Sequence, residues 1–309
     1  MSEKTEKTEP RLSVFKTYKL YVGGKFPRSE SGRVYEVTTQ TSAAGAAGKG
    51  KWLANAPLAS RKDARDAVVA ARKAFGGWSG ATAYNRGQVL YRVAEMLEGR
   101  REQFVREVAD AEGLSKAKAA AVVDAAIDRW VWYAGWTDKI AQVTGGANPV
   151  AGPFFNLSSP EPTGVVAVLA PQKSSFLGLV SVVAPVIATG NTAVVIASEK
   201  SPLPALSLAE VLATSDVPGG VVNVLSGRTA EIAAPLAAHQ DVNAIDLAGA
   251  DEALAKELEI AAADNLKRTL RPQAVDYFDT PGIDRLTAFL ETKTVWHPTG
   301  SLGASGSSY

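Results

Sequence analysis

The chain's 309 residues are 46% hydrophobic and 21% charged, a balance that excludes a disordered polyelectrolyte and fits an ordinary globular protein. A net charge of +1 gives no electrostatic reason to expect nucleic acid or an anionic membrane as a partner, and no apolar run is long enough to span a bilayer. Zero cysteines exclude disulfides, thiolate metal sites and thiol nucleophiles; the two histidines, His239 and His297, stand in no metal-binding spacing.

Residues 1–16 open with MSEKTEKTEPR, charged and without the apolar core of a secretory signal, and read as a disordered lead-in to a cytoplasmic protein. YKLYVGGKF alternates around a Gly-Gly pair and predicts a hairpin, and GRVYEVTT a further strand. The Ala/Gly-rich stretch SAAGAAGKGK reads as a flexible loop. Ser60 then caps a helix in which Ala67, Val68, Ala71 and Phe75 share one face. A second helical block runs from NRGQVLYRVAEMLEGRREQF to VREVADAEG. A third carries Trp130, Trp132, Tyr133 and Trp136, aromatics at helical spacing that predict core or interface filling.

From Gly164 the texture changes. TGVVAVLAP, NTAVVIAS, GGVVNVLSG and VNAIDLAG are short β-branched runs, apolar on both faces and separated by helical patterns. Such runs are strands of a parallel sheet covered by helices, which predicts a doubly wound α/β domain with an added helical layer from the N-terminal third. Ligands in such sheets bind beyond the carboxyl ends of the strands, so the loops to watch are APQKSS, ASEKSP, SGRTAE and AGADEA.

EPTGVVAVLAP, APVIATGNTAVVIASEKSPLPALSLAEVL, VPGGVVNVLSG and DNLKR, with LASRKDARDAVVAARKAFGGW before them and FLETKTVW after, resemble the aldehyde dehydrogenase superfamily in order and spacing. The resemblance implies a Rossmann-like doubly wound parallel sheet with helices on both faces, plus a β-hairpin and strand used for oligomerisation. On that template the cofactor-binding-like domain spans 17–146 and 160–271, and the oligomerisation element 147–159 and 284–299. Residues 272–283 form a short bridge in place of the catalytic domain, and 300–309 a flexible tail.

The family oxidises aldehydes with a cysteine nucleophile, an oxyanion-binding carboxamide and a glutamate general base. Here Lys173, in Pro171–Ser175, falls where the asparagine belongs, Pro272 falls where the glutamate belongs, and no cysteine exists. A proline takes no proton from water, and Ser174 has no histidine placed to activate it. No catalytic residue is therefore assigned.

For the cofactor the resemblance leaves Glu199, Gly227 and Gly249 as vestigial binding residues. Ile196 replaces the ribose-binding lysine, Thr229 and Ala233 stand where glycines are frequent, and Leu247-Ala248-Gly249-Ala250 is followed by Asp251 at a helix start meant for pyrophosphate. The expectation is no cofactor, or weak NAD binding at most. The functional expectation is a non-catalytic subunit, hetero-oligomeric with a complete aldehyde dehydrogenase or else homo-oligomeric, since loss of a domain should also uncover apolar surface. The alternative is an NAD(P)-dependent oxidoreductase of altered mechanism working through Lys173.

Overall fold

The computed structural model of the chain describes residues 12, 14–40 and 50–300. Most of the lead-in, the Ala/Gly-rich loop and the tail lie outside the described residues. Lys16, placed in the lead-in by the sequence, donates its Nζ to Ser207 Oγ at 2.8 Å and pairs with Glu210 at 3.1 Å.

The N-terminal third builds β1 (Val34–Thr38), β2 (Trp52–Pro57), α1 (Arg61–Ser79), α2 (Ala83–Glu98), α3 (Arg101–Glu112), α4 (Lys116–Ala134) and α5 (Ile140–Thr144). The expected hairpin at YVGGK is a tight turn, with Val22 and Lys25 exchanging backbone hydrogen bonds of 3.0 Å each. Helix α1 starts where Ser60 and Asp63 form a reciprocal capping box, and it buries Ala64, Ala67, Val68 and Ala71. It runs past Gly76 and Gly77 so that Trp78 can bury its ring and donate Nε1 to Ile187 O at 2.9 Å. The second helical block divides into α2 and α3 at Gly99–Arg100. In α4, Trp130 and Tyr133 are buried core residues, as their spacing predicts, with Trp132 and Trp136 packed against them.

The remainder forms β3 (Gly146–Asn148), β4 (Phe154–Pro162), β5 (Val165–Leu169), α6 (Leu177–Ala188), β6 (Thr192–Ile196), α7 (Leu203–Ala213) and β7 (Val222–Leu225). These are followed by α8 (Thr229–Ala237), β8 (Ala244–Asp246), α9 (Glu252–Ala263), β9 (Arg268–Leu270), α10 (Asp284–Thr287) and β10 (Leu290–Pro298). The four predicted parallel strands, joined by β9, which was not predicted, lie in the order β7-β6-β5-β8-β9, the doubly wound arrangement. Both faces are apolar because both are covered. Val165, Ala167 and Leu169 face α1, α8 and α9; Val166 and Val168 face α6 and the helical layer behind it.

A separate three-stranded antiparallel sheet has the order β10-β4-β3, with β10 zipped to β4 from Leu290–Pro162 to Pro298–Phe154. One correction concerns residues 284–289, expected as part of the closing strand. Residues 284–287 instead turn as α10, and Phe289 is buried at 2% exposure. Phe289 O is held by Thr163 N at 3.2 Å and by the buried Asn191 Nδ2 at 2.9 Å, which places the strand start at Leu290.

The surface beneath the bridge is covered in part. Leu286 and Phe289 belong to the main hydrophobic core, and Tyr277, Ile283 and Leu290 pack on it. Arg129 from α4 fixes the segment by donating Nη2 to Tyr277 O at 2.5 Å and to Asp279 O at 3.1 Å. Val275 and Phe278 of the same segment remain 42% and 57% exposed, and Leu266 just before it 91%.

Candidate functional site

The crevice that a doubly wound sheet offers lies where the loops after β5 and β8 diverge. Here those loops meet. Gly249 N donates to Leu169 O at 2.9 Å, and a Cβ on Gly249 would lie 2.0 Å from Ala170 O. Glycine is required at 249 for that close approach, whatever else the loop does.

After β5, Gln172 stitches its loop to the next: its Nε2 donates to Ala170 O at 3.0 Å and its Oε1 accepts from Glu199 N at 2.9 Å. Lys173 is exposed at the loop tip. Ser174 Oγ accepts from Gly178 N at 2.9 Å, and the buried Ser175 donates Oγ to Glu112 Oε1 at 2.9 Å. The same Glu112 oxygen accepts from Phe176 N at 3.1 Å, at the start of α6. Burial holds the Glu112 carboxyl above its ordinary range, against these hydrogen bonds.

After β6, Glu199 does not face open space. Its Oε1 accepts from Arg228 Nη1 at 2.7 Å and its Oε2 from Thr229 N at 3.1 Å, so a carboxylate of this chain sits on the first turn of α8. Gly227, at φ +147°, makes the turn into that helix; a Cβ there would approach Ile232 Cδ1 at 3.0 Å and Ala59 N at 3.2 Å. The Arg228 guanidinium also lies 5.9 Å from the Tyr35 ring centroid, and the Tyr35 hydroxyl, raised in pKa by burial, has no hydrogen-bond partner. After β8, Asp251 Oδ1 accepts from Leu254 N at 2.9 Å and caps α9.

The three vestigial residues thus share the carboxyl-end surface but are engaged within the chain. Helices α6, α8 and α9 each have a carboxylate from the protein, Glu112, Glu199 and Asp251, on their opening N–H groups. That donor set does not fit a dinucleotide's pyrophosphate, which needs free N–H groups and no fixed negative charge beside them.

Asp246 and Arg285 were missed by the sequence reading. Asp246 closes β8, is 1% exposed at its side chain, and pairs through Oδ2 with Arg285 Nη1 of α10 at 2.6 Å; its Oδ1 accepts from Ala248 N at 3.0 Å. An acid inside the apolar run AIDL was the available signal, because a buried carboxylate requires a partner. His239 serves locally, its Nδ1 accepting from Asp241 N at 3.1 Å, and burial lowers its pKa. No group of three metal-ligating side chains occurs among the described residues. A cavity of about 900 Å³ lies between α2 and α4 and takes no lining residue from the carboxyl-end loops.

A five-stranded doubly wound sheet with carboxyl-end loops of this sequence, carrying a β10-β4-β3 sheet on its flank, defines an α/β domain of dinucleotide-binding type. The match to the family model described as "Aldehyde dehydrogenase family" covers residues 37–271, and the chain belongs to that family. It is 33% identical over 268 residues to retinal dehydrogenase 2 of Gallus gallus, covering 84% of this chain and 49% of that protein. It is 31% identical over 268 residues to cytosolic 10-formyltetrahydrofolate dehydrogenase of Mus musculus, covering 85% of this chain and 29% of that protein. The NAD+ complex of a Bacillus cereus aldehyde dehydrogenase superposes with a TM-score of 0.75 at 27% identity, over 82% of this chain and 50% of that one. The chain therefore spans about half the length, or less, of the relatives it matches. Among the described residues no helix is long and apolar enough to cross a membrane.

Proposed function

We propose that the chain is a non-catalytic subunit of aldehyde dehydrogenase type whose use is assembly through the β10-β4-β3 sheet. The observation that carries this reading is the ladder from Leu290–Pro162 to Pro298–Phe154, which leaves β10 as an edge strand with Phe155, Leu157 and Trp296 exposed around it. A strand edge with apolar neighbours is a pairing surface unless something covers it.

The positions tied to chemistry support the same reading. Family-type oxidation needs a thiolate nucleophile, a proton acceptor and an oxyanion donor. The chain has no cysteine, Pro272 at the acceptor position and an exposed Lys173 at the donor position. Weak dinucleotide binding is expected for the same site, since its helix starts carry Glu199 and Asp251.

Co-purification from the native cell, paired with an aldehyde oxidation assay with NAD and NADP, tests the reading. Recovery as an oligomer without turnover is expected. Turnover above background that disappears in Lys173→Ala would replace the subunit reading with an enzyme working through that lysine.

A further inference from the structure

The outer edge of β10 specifies more than an assembly surface, and what it specifies rests on the assembly reading above. Phe289 O accepts from Thr163 N, and Thr299 N donates to Pro153 O, so the odd-numbered residues of this strand turn their backbone groups toward β4. By the alternation of a strand, Leu290, Thr292, Thr294 and Trp296 turn theirs outward, and Pro298 offers a carbonyl with no N–H. The open row of donors ends at Pro298, which needs none.

The 272–289 segment packs its own Tyr277, Ile283, Leu286 and Phe289 on the core beneath it. The outer edge of β10 is unpaired among the described residues, and a second copy of this chain presents a matching one. Pairing about a two-fold axis must be antiparallel, and charge together with the length of strand engaged chooses the register. An axis at Lys293 stacks Lys293 on its own copy, and an axis at Val295 sets Lys293 against His297; both juxtapose basic groups. An axis at Thr292 sets Glu291 against Lys293, which already pair within the chain with Arg268 and Glu161, and it engages only Leu290 to Thr294, because Ala288 is the C-cap of α10 and is not free to pair with Trp296. An axis at Thr294 engages the strand from Leu290 to Pro298, sets Glu291 against His297 and lays Val295 along the aliphatic stem of Lys293.

We infer that β10 pairs with β10 of a second copy, antiparallel about a two-fold axis through Thr294, to make a continuous sheet β3-β4-β10-β10-β4-β3. Thr294 is exposed on the face where Ser158 Oγ lies 2.8 Å from its Oγ1, so its side chain is reachable from a facing copy. In such a hydrogen-bonded pair the two Cα atoms at the axis lie about 5.5 Å apart, within the range a disulfide spans.

Because the chain contains no cysteine, single cysteines report the register without background. Full-length Thr294→Cys, Lys293→Cys and Thr292→Cys are treated with diamide at low micromolar concentration. Light scattering of the unmodified protein should give twice the 32.4 kDa of one chain. The axis variant, Thr294→Cys, should cross-link at least about tenfold faster than the other two. Thr294→Pro, which removes an outward N–H and leaves the β4 ladder its own donors, should lower dimer affinity by about tenfold or more at an unchanged far-ultraviolet circular dichroism spectrum.

A monomer at every concentration overturns the inference, as does fastest cross-linking from Lys293→Cys or Thr292→Cys. A monomer that dimerises only with a complete aldehyde dehydrogenase overturns the second copy as occupant and leaves the non-catalytic reading standing. Aldehyde turnover by a Thr294-linked dimer would overturn that reading and leave the pairing intact.

Discussion

Arg285 Nη1 lies 2.6 Å from Asp246 Oδ2, joining α10 to the carboxyl end of β8 across 39 positions of sequence, with side chains 15% and 1% exposed. The pair is the polar centre of the contact between the 272–289 segment and the α/β domain. Around it stand Tyr133, whose hydroxyl is pushed up to about 12 chiefly by burial, and Arg129, which holds the segment's carbonyls.

Breaking that pair on one side should be costly. Arg285→Met leaves a buried carboxylate with only the Ala248 N–H, and should lower unfolding free energy by about 3–5 kcal/mol. The double variant Asp246→Leu with Arg285→Met should recover at least half of the loss, since no unpaired charge remains. Urea denaturation of both proteins checks this; equal losses would show that the pair matters through packing alone.

Gly249→Ala should cost about 1–3 kcal/mol, because the new methyl meets Ala170 O and the loops after β5 and β8 must part. Thermal unfolding reads the loss. A neutral effect would mean that the two loops separate readily in solution.

Burial is the main cause raising the Glu107 carboxyl above its ordinary 4.5; Gln103 Nε2 reaches its Oε1 at 2.9 Å, while its Oε2 is buried without a partner. With the folded pKa above the unfolded one, the folded state holds the proton longer. The resulting stability is full below 4.5 and is lost as pH rises through the folded value. Glu112 acts in the same direction. Glu107→Gln should therefore raise the unfolding midpoint, relative to the parent protein, more at about pH 7.5 than at about pH 4.5. The reverse order would mean that Lys16 and the hydrogen bonds outweigh burial.

Calorimetric titration with NAD should give a dissociation constant of about 1 mM or weaker, or no heat at all. Glu199→Ala should not create tight binding, and it should cost about 0.5–2 kcal/mol of stability through the lost carboxylate on α8. Micromolar affinity in the parent chain would show that Glu199 and Asp251 yield readily to a ligand.

The parallel sheet was legible because each strand is buried on both faces, so VVAVL and TAVVI carry their burial in composition alone. Helix α1 announced itself through Ser60 and Asp63, whose mutual hydrogen bonds are local in sequence. What the sequence did not disclose was every contact closed over a distance. Asp246 advertised a need for a cation but not that Arg285 would supply it. Glu199 was read as a ligand residue because nothing local reveals that Arg228 and Thr229 claim its oxygens. Residues 284–289 were grouped with the closing strand because a period of two says nothing about where Asn191 will pin the Phe289 carbonyl.

The partner of β4 lies far along the chain: Leu290 pairs with Pro162, with a whole α/β domain in between. At about 5–20 residues per second of synthesis, β4 waits on the order of ten seconds for β10 to leave the ribosome. During that interval β4 has only the three residues of β3 beside it, too little to hold a sheet. A nascent chain in this state displays an unzipped strand bearing Phe155 and Leu157, and closing the ladder carries the loop entropy of a contact more than a hundred residues long. Folding should therefore finish with this sheet, so Phe155 and Leu157 stand on an unpaired strand until the last contact closes.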